Sequence, residues 1–220
     1  ISLLDLAVLV GNERAFDIRG TGNSEGTLIP YEYSEIEQRD GDQVIDWLSK
    51  QPFSNGNVGM FGISWSGFNA IHMAMRNPPA LKAIIAVDAT DDLYQDDVHF
   101  MDGMMHLDSW EWQMDIANSM PGAPDYRIDD KFFAERFDQP PWMLTYKRQQ
   151  RDGPFWDRTA LKTRYDAIKI PTFVIGGWYD GYRDSASTVL TSCDTDCTDS
   201  GEATSADGSD DCDDSDSTIN

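Results

Sequence analysis

The stretch that decides the fold is Val-Gly-Met-Phe-Gly-Ile-Ser-Trp-Ser-Gly at residues 58–67. Its apolar first half predicts a buried strand, and its small-residue second half predicts a sharp turn into a helix. A nucleophilic serine on such a turn needs small residues two places before and after it. Gly62 and Ser66 occupy those places around Ser64, so the sequence predicts that Ser64 is a nucleophile. The alternative is an ordinary strand-to-helix turn whose serine only caps the helix.

Helices and strands alternate on both sides of this turn. A capping box that begins at Ser34 predicts a helix ending near Gln51-Pro52. The apolar positions expected on its buried face are Ile36, Val44, Ile45, Trp47 and Leu48. Further elements are predicted as a helix over 65–76 and strands over 15–18, 58–61, 81–87 and 172–175. This alternation is typical of an α/β fold with a mostly parallel sheet flanked by helices.

The chain divides into four predicted parts. Residues 1–90 and 164–190 form the first and second parts of an α/β core. Residues 91–163 are rich in Met, Trp and Phe and are broken by prolines, which predicts an inserted helical cap over the site. Residues 191–220 contain ten acidic side chains and no Lys, Arg or aromatic residue, so we expect a disordered acidic tail.

Composition limits the classes of partner and cofactor. The net charge of −22 disfavours nucleic acid and anionic membranes as partners, because their phosphates would be repelled. All three cysteines lie in the tail at a spacing that fits no standard zinc site, and no metal or cofactor is expected. Weak cation binding by the tail is an alternative role. With no eighteen-residue apolar run and no recognisable signal peptide, we expect a cytoplasmic protein.

A second candidate site residue follows the last predicted strand. Asp180 stands between Gly176-Gly177 and Gly181, and a strand precedes it, as one precedes Ser64. Both side chains should therefore lie at the carboxyl edge of the sheet, where an acid that orients a histidine belongs. Asp88, which follows the strand at 81–87, is an alternative acid. The alternative for Asp180 is a solvated carboxylate at a strand end without a catalytic role. The backbone N–H of Trp65 is expected to bind the oxyanion.

The catalytic base is not evident, because no histidine follows Asp180. His72 lies eight residues beyond Ser64 on the same predicted helix, about 12 Å along its axis, and is expected to pack. His99 and His106 fall in the predicted cap, where a structural role is the expectation. Without a base the Ser64 hydroxyl is a weak nucleophile near neutral pH.

Three motifs in this order resemble the cocaine-esterase-like (CocE/NonD) hydrolases, which are related to the X-prolyl dipeptidyl peptidases. The motifs lie at residues 17–26, 62–67 and 177–181, and the resemblance covers roughly residues 15–190. It implies an α/β-hydrolase fold with a helical cap over 91–163. It also implies Ser64 as nucleophile, Asp180 as triad acid, Trp65 N–H as one oxyanion donor, and a small-molecule ester or amide as substrate.

The sequence departs from this family in two ways. Members carry a second oxyanion donor, a tyrosine hydroxyl, on an upstream strand, and residues 1–14 contain no tyrosine. They also carry the triad histidine after the acid, followed by a jelly-roll domain, where this chain has its acidic tail. The initial Ile and the change in composition near Val189-Leu190 predict a missing upstream piece and frameshifted or misassembled ends.

The sequence thus predicts a serine hydrolase of carboxylic esters or acyl amides that acts through an acyl-enzyme, impaired by the missing histidine. The related α-amino acid ester hydrolases recognise the amino group with acidic residues next to the triad acid. Gly181 and Tyr182 follow Asp180 here, so the resemblance implies a plain ester or acyl substrate rather than an α-amino acyl one. The alternatives are a non-catalytic remnant that keeps a ligand pocket and an X-Pro or α-amino acyl peptidase-type hydrolase.

Overall fold

The helices and strands follow the alternation that the sequence predicts. The computed structural model describes residues 7–8, 16–95, 97, 99–101, 104–162, 164–182 and 185. The strands are β1 (Ala7–Val8), β2 (Val58–Ile63), β3 (Leu81–Val87), β4 (Phe100–Met101), β5 (Met104–Met105) and β6 (Thr172–Ile175). The helices are α1 (Glu35–Ser49), α2 (Trp65–Arg76), α3 (Leu107–Asn118), α4 (Asp130–Phe132), α5 (Trp142–Lys147) and α6 (Pro154–Asp157). A π-helical turn at Phe133–Phe137 and a 3₁₀ turn at Tyr165–Ala167 complete the set.

Within the described part of the chain, four strands form the main sheet in the order β1-β2-β3-β6. β1 is antiparallel to β2, whereas β2, β3 and β6 run parallel. In the register Ile63 pairs with Val87, and Val87 pairs with Ile175. The carboxyl ends of the three parallel strands therefore coincide. The residues that follow each strand meet at one edge of the sheet, which is where ligands bind in open parallel sheets.

Helices α1 and α2 pack on one face of this sheet. The buried positions of β2 are Val58, Met60 and Gly62, which alternate with less buried ones as a pleated strand requires. α2 contacts both β2 and β3, and most of its side chains are buried. The helix therefore lies against the centre of the sheet, with its first turn at the carboxyl edge.

Most predicted elements are present with their predicted bounds. The helix over 65–76 and the strands over 81–87 and 172–175 are confirmed, and β2 is two residues longer than predicted. The strand predicted over 15–18 is wrong for 16–18, which the structure describes without a strand. Asp17 instead closes the loop that follows: it accepts a hydrogen bond from Asn23 N at 3.0 Å, and its carbonyl accepts one from Ser24 Oγ at 2.7 Å.

The buried face of α1 differs from the predicted one. Ile45 and Leu48 are buried as expected, but Ile36 and Trp47 are about half exposed. Glu37 and Gln38 are buried in their place. Apolar spacing misassigned this face because buried polar contacts, which hydrophobicity does not reveal, set the rotation of the helix.

The region between β3 and β6 contains the short helices α3 to α6 and a ribbon of β4 and β5. Four large aromatic side chains of this region are almost fully buried: Phe100, Trp142, Tyr146 and Trp156. Phe100 and Tyr146 pack against Trp156, and Trp142 packs against Trp65 of α2. These four aromatic residues therefore pack in the interior of the protein. The boundaries of the cap at 91 and 163 stay a prediction, and residues 191–220 lie outside the described residues. None of the described helices is long and apolar enough to cross a membrane.

Candidate active site

Ser64 forms the whole connection between β2 and α2. Its backbone has φ 54° and ψ −120°, a combination that non-glycine residues rarely adopt. Two hydrogen bonds fix it: Ser64 N donates to Val87 O at 2.9 Å, and Ser64 O accepts from Phe68 N at 3.0 Å. Strain of this kind persists only where the surrounding structure imposes it, and it is concentrated at functional sites.

Two glycines make this sharp turn sterically possible. A Cβ atom on Gly62 would lie 2.2 Å from the backbone carbon and oxygen of Ser66. A Cβ atom on Gly67 would lie 2.9 Å from the Ala89 Cβ. The strand and the helix can approach this closely only because both positions lack a side chain. The predicted layout of strand, serine turn and helix is therefore present.

Trp65, the predicted oxyanion donor, is the first residue of α2. The first amides of a helix have no intrahelical acceptor, and no backbone hydrogen bond among the described residues uses the Trp65 N–H. The positive end of the helix dipole adds to the attraction of this amide for an anion. The indole is buried, and its Nε1 donates to Glu37 Oε1 at 3.1 Å. The amide is thus available next to Ser64, while the side chain is anchored behind the turn.

Asp88 and Asp180 lie on neighbouring loops at the same sheet edge. Asp88 N donates to Ile175 O at 2.8 Å, and Asp88 Oδ1 accepts a hydrogen bond from Gly177 N at 3.2 Å. Asp180 N in turn donates to Gly177 O at 2.9 Å, and Asp180 is partly buried. Asp88 therefore fixes the loop that carries Asp180. The structure brings Ser64, Trp65 and Asp180 to one edge, as the sequence analysis expects.

Tyr182 is a site residue that the sequence analysis did not identify as one. Its N–H donates to Asp180 Oδ1 at 2.9 Å, and its ring packs edge-on against Phe68. The hydroxyl interacts with the Ser64 side chain and with the Asp97 carboxylate. Burial, reinforced by the Asp97 charge, raises the Tyr182 pKa far above its usual value, so the hydroxyl stays protonated. An aromatic residue two places after the predicted acid was the available signal.

The histidines occupy structural positions. His72 is buried, with Nδ1 3.1 Å from Gln38 Nε2 and Nε2 3.1 Å from Thr159 O. Burial lowers its pKa to about 4, so the ring is neutral near pH 7. The His99 ring lies between the carboxylates of Asp97 and Glu32, and its Nε2 is 2.5 Å from Glu32 Oε2. The expected packing roles of these two histidines are confirmed.

His106 differs from the other two histidines, because it is exposed at the start of α3. Neither His72 nor His99 has a ring nitrogen directed to Ser64, since both nitrogens of each ring have other partners. Among the described residues, these contacts leave Ser64 without an evident imidazole base.

Glu37 is the second residue that the sequence analysis missed as part of the site. Its carboxylate is fully buried and accepts hydrogen bonds from Tyr33 N, Trp65 Nε1 and Asn69 Nδ2. Burial raises its pKa to about 7, although the three hydrogen bonds act in the opposite direction. The sequence showed Glu37 only as the acidic partner of the Ser34 capping box.

The sequence is similar to that of a known esterase. The chain is 26% identical over 192 residues to the cocaine esterase of Rhodococcus sp. (strain MB1 Bresler). The alignment covers 76% of this chain and 33% of the esterase. It thus spans about a third of that relative's length.

Two solved structures share the fold. One is a CocE/NonD family hydrolase from Staphylococcus aureus, with a TM-score of 0.51 and 27% identity over 70% of this chain and 25% of that one. The other is an α-amino acid ester hydrolase, with a TM-score of 0.57 and 23% identity over 80% and 34% of the two chains. These similarities confirm the CocE/NonD-like resemblance and the α/β-hydrolase fold. A family model described as X-Pro dipeptidyl-peptidase (S15 family) matches residues 15–195, and the chain therefore belongs to that family.

Proposed function

We propose that this protein is a serine hydrolase that cleaves carboxylic esters or acyl amides through an acyl-enzyme formed on Ser64. The observation that carries the proposal is the strained backbone of Ser64 between β2 and α2, held by two hydrogen bonds and by close contact at Gly62. Membership of a family that contains esterases and peptidases supports hydrolysis as the reaction. The proposed substrate is a small-molecule ester or amide, since the net charge of −22 disfavours polyanions.

The proposed reaction proceeds in two steps. Ser64 Oγ attacks the substrate carbonyl carbon and passes its proton to solvent water, and the carbonyl oxygen becomes an oxyanion that accepts a hydrogen bond from Trp65 N–H. The oxyanion then collapses, the bond to the alcohol or amine breaks, and this leaving group takes a proton from solvent. Water later attacks the acyl-serine ester, which releases the acid and returns the proton to Ser64 Oγ. One such oxyanion donor is typically worth about 3 kcal/mol in the transition state.

The base is the weak part of this reaction in the present sequence. Asp180 has the position of the acid that orients a histidine, but no histidine follows it in the 220 residues. His72 and His99 are occupied by other partners. We therefore propose that Ser64 acylates slowly, and only with activated substrates, and that deacylation is slower still.

A second candidate function is cleavage of α-amino acyl or X-Pro substrates. The buried carboxylate of Asp97 lies near the Tyr182 hydroxyl, which itself interacts with Ser64. A substrate ammonium group requires a nearby anion when it leaves water, and Asp97 provides one close to the proposed nucleophile. A comparison of 4-nitrophenyl acetate with an alanine 4-nitrophenyl ester tests this, because preference for the free amine favours the second function.

The test of the proposed function is covalent labelling with a fluorophosphonate probe, together with stopped-flow hydrolysis of 4-nitrophenyl acetate. We expect the probe to label the wild-type chain at one site and to fail with Ser64→Ala. Ser66→Ala, a matched change two residues away, should still be labelled. We also expect a burst of about one equivalent followed by slow turnover. Added imidazole should accelerate the slow phase, because it supplies the missing base.

Two outcomes would contradict this function. An unlabelled wild-type chain that is folded by circular dichroism would leave the non-catalytic remnant as the better explanation. Labelling that persists in Ser64→Ala would place the reactive group elsewhere.

A further inference from the structure

Beyond the residues of the proposed reaction, we infer that Glu37 is the positioning residue of the nucleophile turn. Its carboxylate holds the Trp65 indole and thereby the Trp65 N–H that binds the oxyanion. The inference deepens the proposed function and rests on it for the role of that N–H. The contact between Glu37 and Trp65 does not depend on catalysis and can be tested separately.

Glu37 connects three separate segments at the base of α2. Glu37 Oε2 accepts from Tyr33 N at 2.5 Å, and Glu37 Oε1 accepts from Trp65 Nε1 at 3.1 Å and from Asn69 Nδ2 at 2.9 Å. Trp65 and Asn69 are four residues apart and therefore share a face of α2. One carboxylate thus fixes the first two turns of this helix against the loop before α1.

This arrangement goes beyond helix capping. In a capping box the acidic residue returns to the N–H of the capping serine, here Ser34. Ser34 Oγ does accept a long hydrogen bond of 3.4 Å from Glu37 N, but the Glu37 carboxylate bonds Tyr33 N and turns towards α2. The carboxylate is therefore committed to the contact between helices rather than to the start of its own helix.

The Trp65 indole has few other constraints of comparable directionality. Its ring is 5.9 Å from the ring of Tyr33 and 5.5 Å from that of Trp142, both in tilted or edge arrangements. These contacts restrict the ring by packing. The hydrogen bond to Glu37 adds a directional constraint on the ring. Because the indole and the N–H belong to the same residue, a displacement of the ring shifts that amide next to Ser64.

The protonation state of Glu37 in this contact can be varied with pH. An ionised Glu37 accepts all three N–H groups, whereas a protonated one must direct its own O–H against one of those donors. Burial raises the Glu37 pKa to about 7, so both forms are accessible near neutral pH.

The charged and titratable groups around Glu37 come from four elements. Glu32 and Tyr33 lie in the loop before α1, and Arg158 lies just after α6. Asp17, Arg19 and Asp40 line the same cavity as Glu37, and Arg19 and Asp40 form an ion pair. His72 on α2 has a pKa lowered to about 4, so it is neutral from pH 5 to pH 9 and does not titrate there with Glu37.

The test uses nuclear magnetic resonance and probe labelling on the full chain. Two signals of Trp65 are followed from pH 5 to pH 9, that of the indole N–H and that of the backbone N–H. The indole signal is assigned by its loss in Trp65→Phe. We expect both wild-type signals to move with a midpoint near pH 7, and the movement to vanish in Glu37→Gln. Fluorophosphonate labelling of Ser64 should slow about tenfold in Glu37→Gln and recover partly in Glu37→Asp.

The matched control is Glu35→Gln, which changes an exposed carboxylate in the same first turn of α1. It should leave the Trp65 signals and the labelling rate unchanged. A Trp65 backbone signal that is the same in wild type and in Glu37→Gln across this pH range would overturn the inference. So would labelling of Glu37→Gln at the wild-type rate.

The two proposals fail differently. If the wild-type chain is not labelled, the proposed function fails, and the Trp65 signals alone decide the role of Glu37. If Glu37→Gln does not fold, Trp65→Phe takes its place, because it removes the same hydrogen bond and keeps an aromatic ring. Labelling of Trp65→Phe at the wild-type rate would overturn the inference.

Discussion

At the residue scale, Ser64 and Glu37 are both held in states that cost free energy, and they lie on either side of Trp65. The positive φ of Ser64 costs about 1–3 kcal/mol. Glu37 is a buried carboxyl group, and its burial favours the neutral form. Unfavourable states so close together are expected where a fold gives up stability for the geometry of a reaction.

The raised pKa of Glu37 predicts how the free energy of unfolding depends on pH. Its pKa in the folded protein, about 7, is raised above the ordinary 4.5, so the native state binds this proton more tightly than the unfolded chain does. The tighter binding of this proton stabilises the folded state. That stabilisation is fully present below about pH 4.5 and is lost as pH rises through 7. Relative to Glu37→Gln, the free energy of unfolding of the wild type should fall by about 3 kcal/mol between these limits. Urea unfolding at pH 4.5, 6 and 8 measures it.

Glu35→Gln is again the control for this measurement. Glu35 is exposed, with Arg39 and Arg76 as its ion-pair partners, and surface pairs of this kind contribute little to stability. Its variant should keep the pH dependence of the wild type. Parallel stability curves for wild type and Glu37→Gln would show that Glu37 does not titrate in this range.

The sequence identified some of the site residues and missed others for a physical reason. Ser64 and Asp180 stand in short motifs whose glycines mark the turns, so local sequence was enough to nominate them. Glu37 lies 28 residues from Trp65, and its role depends on how α1 and α2 pack together. Tyr182 depends in the same way on its contact with Phe68 of α2. Periodicity and local motifs contain no information about such contacts.

At the element scale, the site depends on a strand and a helix that approach more closely than side chains permit. Gly62→Ala should therefore destabilise the protein by about 3 kcal/mol, the upper end for overpacking, because its Cβ meets rigid Ser66 backbone at 2.2 Å. The strain falls on the Ser64 turn, so fluorophosphonate labelling should also decrease. Thermal unfolding by circular dichroism and the labelling rate measure the two effects.

Gly177→Ala is the matched control near the same sheet edge. A Cβ there meets the Asp180 Cβ at 3.6 Å, an ordinary van der Waals distance. We expect a change in stability of less than about 1 kcal/mol for this variant. Equal effects of the two substitutions would mean that the close approach at Gly62 does not define the turn.

The elements show where sequence patterns suffice. Strands β3 and β6 and helix α2 were predicted with their observed bounds because each is an apolar segment between strong turn residues. The rotation of α1 was not predicted, since burying Glu37 and Gln38 turns Ile36 and Trp47 outward. The strand predicted over 15–18 was wrong for 16–18 because Asp17 serves the loop at 19–26 rather than the sheet.

At the scale of the whole molecule, Trp142 joins the segment between β3 and β6 to the core. Its ring is 5.5 Å from the Trp65 ring, and its Nε1 donates to Ile29 O at 2.7 Å. Asp115 in α3 accepts a hydrogen bond from the Trp142 N–H at 2.7 Å. The Trp142 side chain therefore contacts α2 and the loop before α1, and its backbone N–H contacts the neighbouring helix α3.

This position makes Trp142 the best point at which to ask whether the segment and the core unfold as one unit. Trp142→Ala removes a fully buried ring and leaves Ile29 O without its donor, so the free energy of unfolding should fall by about 3–5 kcal/mol. Trp112→Ala, which removes a ring that is 60% exposed on α3, should change it by less than about 0.5 kcal/mol. If both parts form one cooperative unit, Trp142→Ala shifts a single unfolding transition in urea, followed by circular dichroism and by tryptophan fluorescence. Two separate transitions would instead mean that the segment folds independently of the core and that its contact with Trp65 does not couple the two.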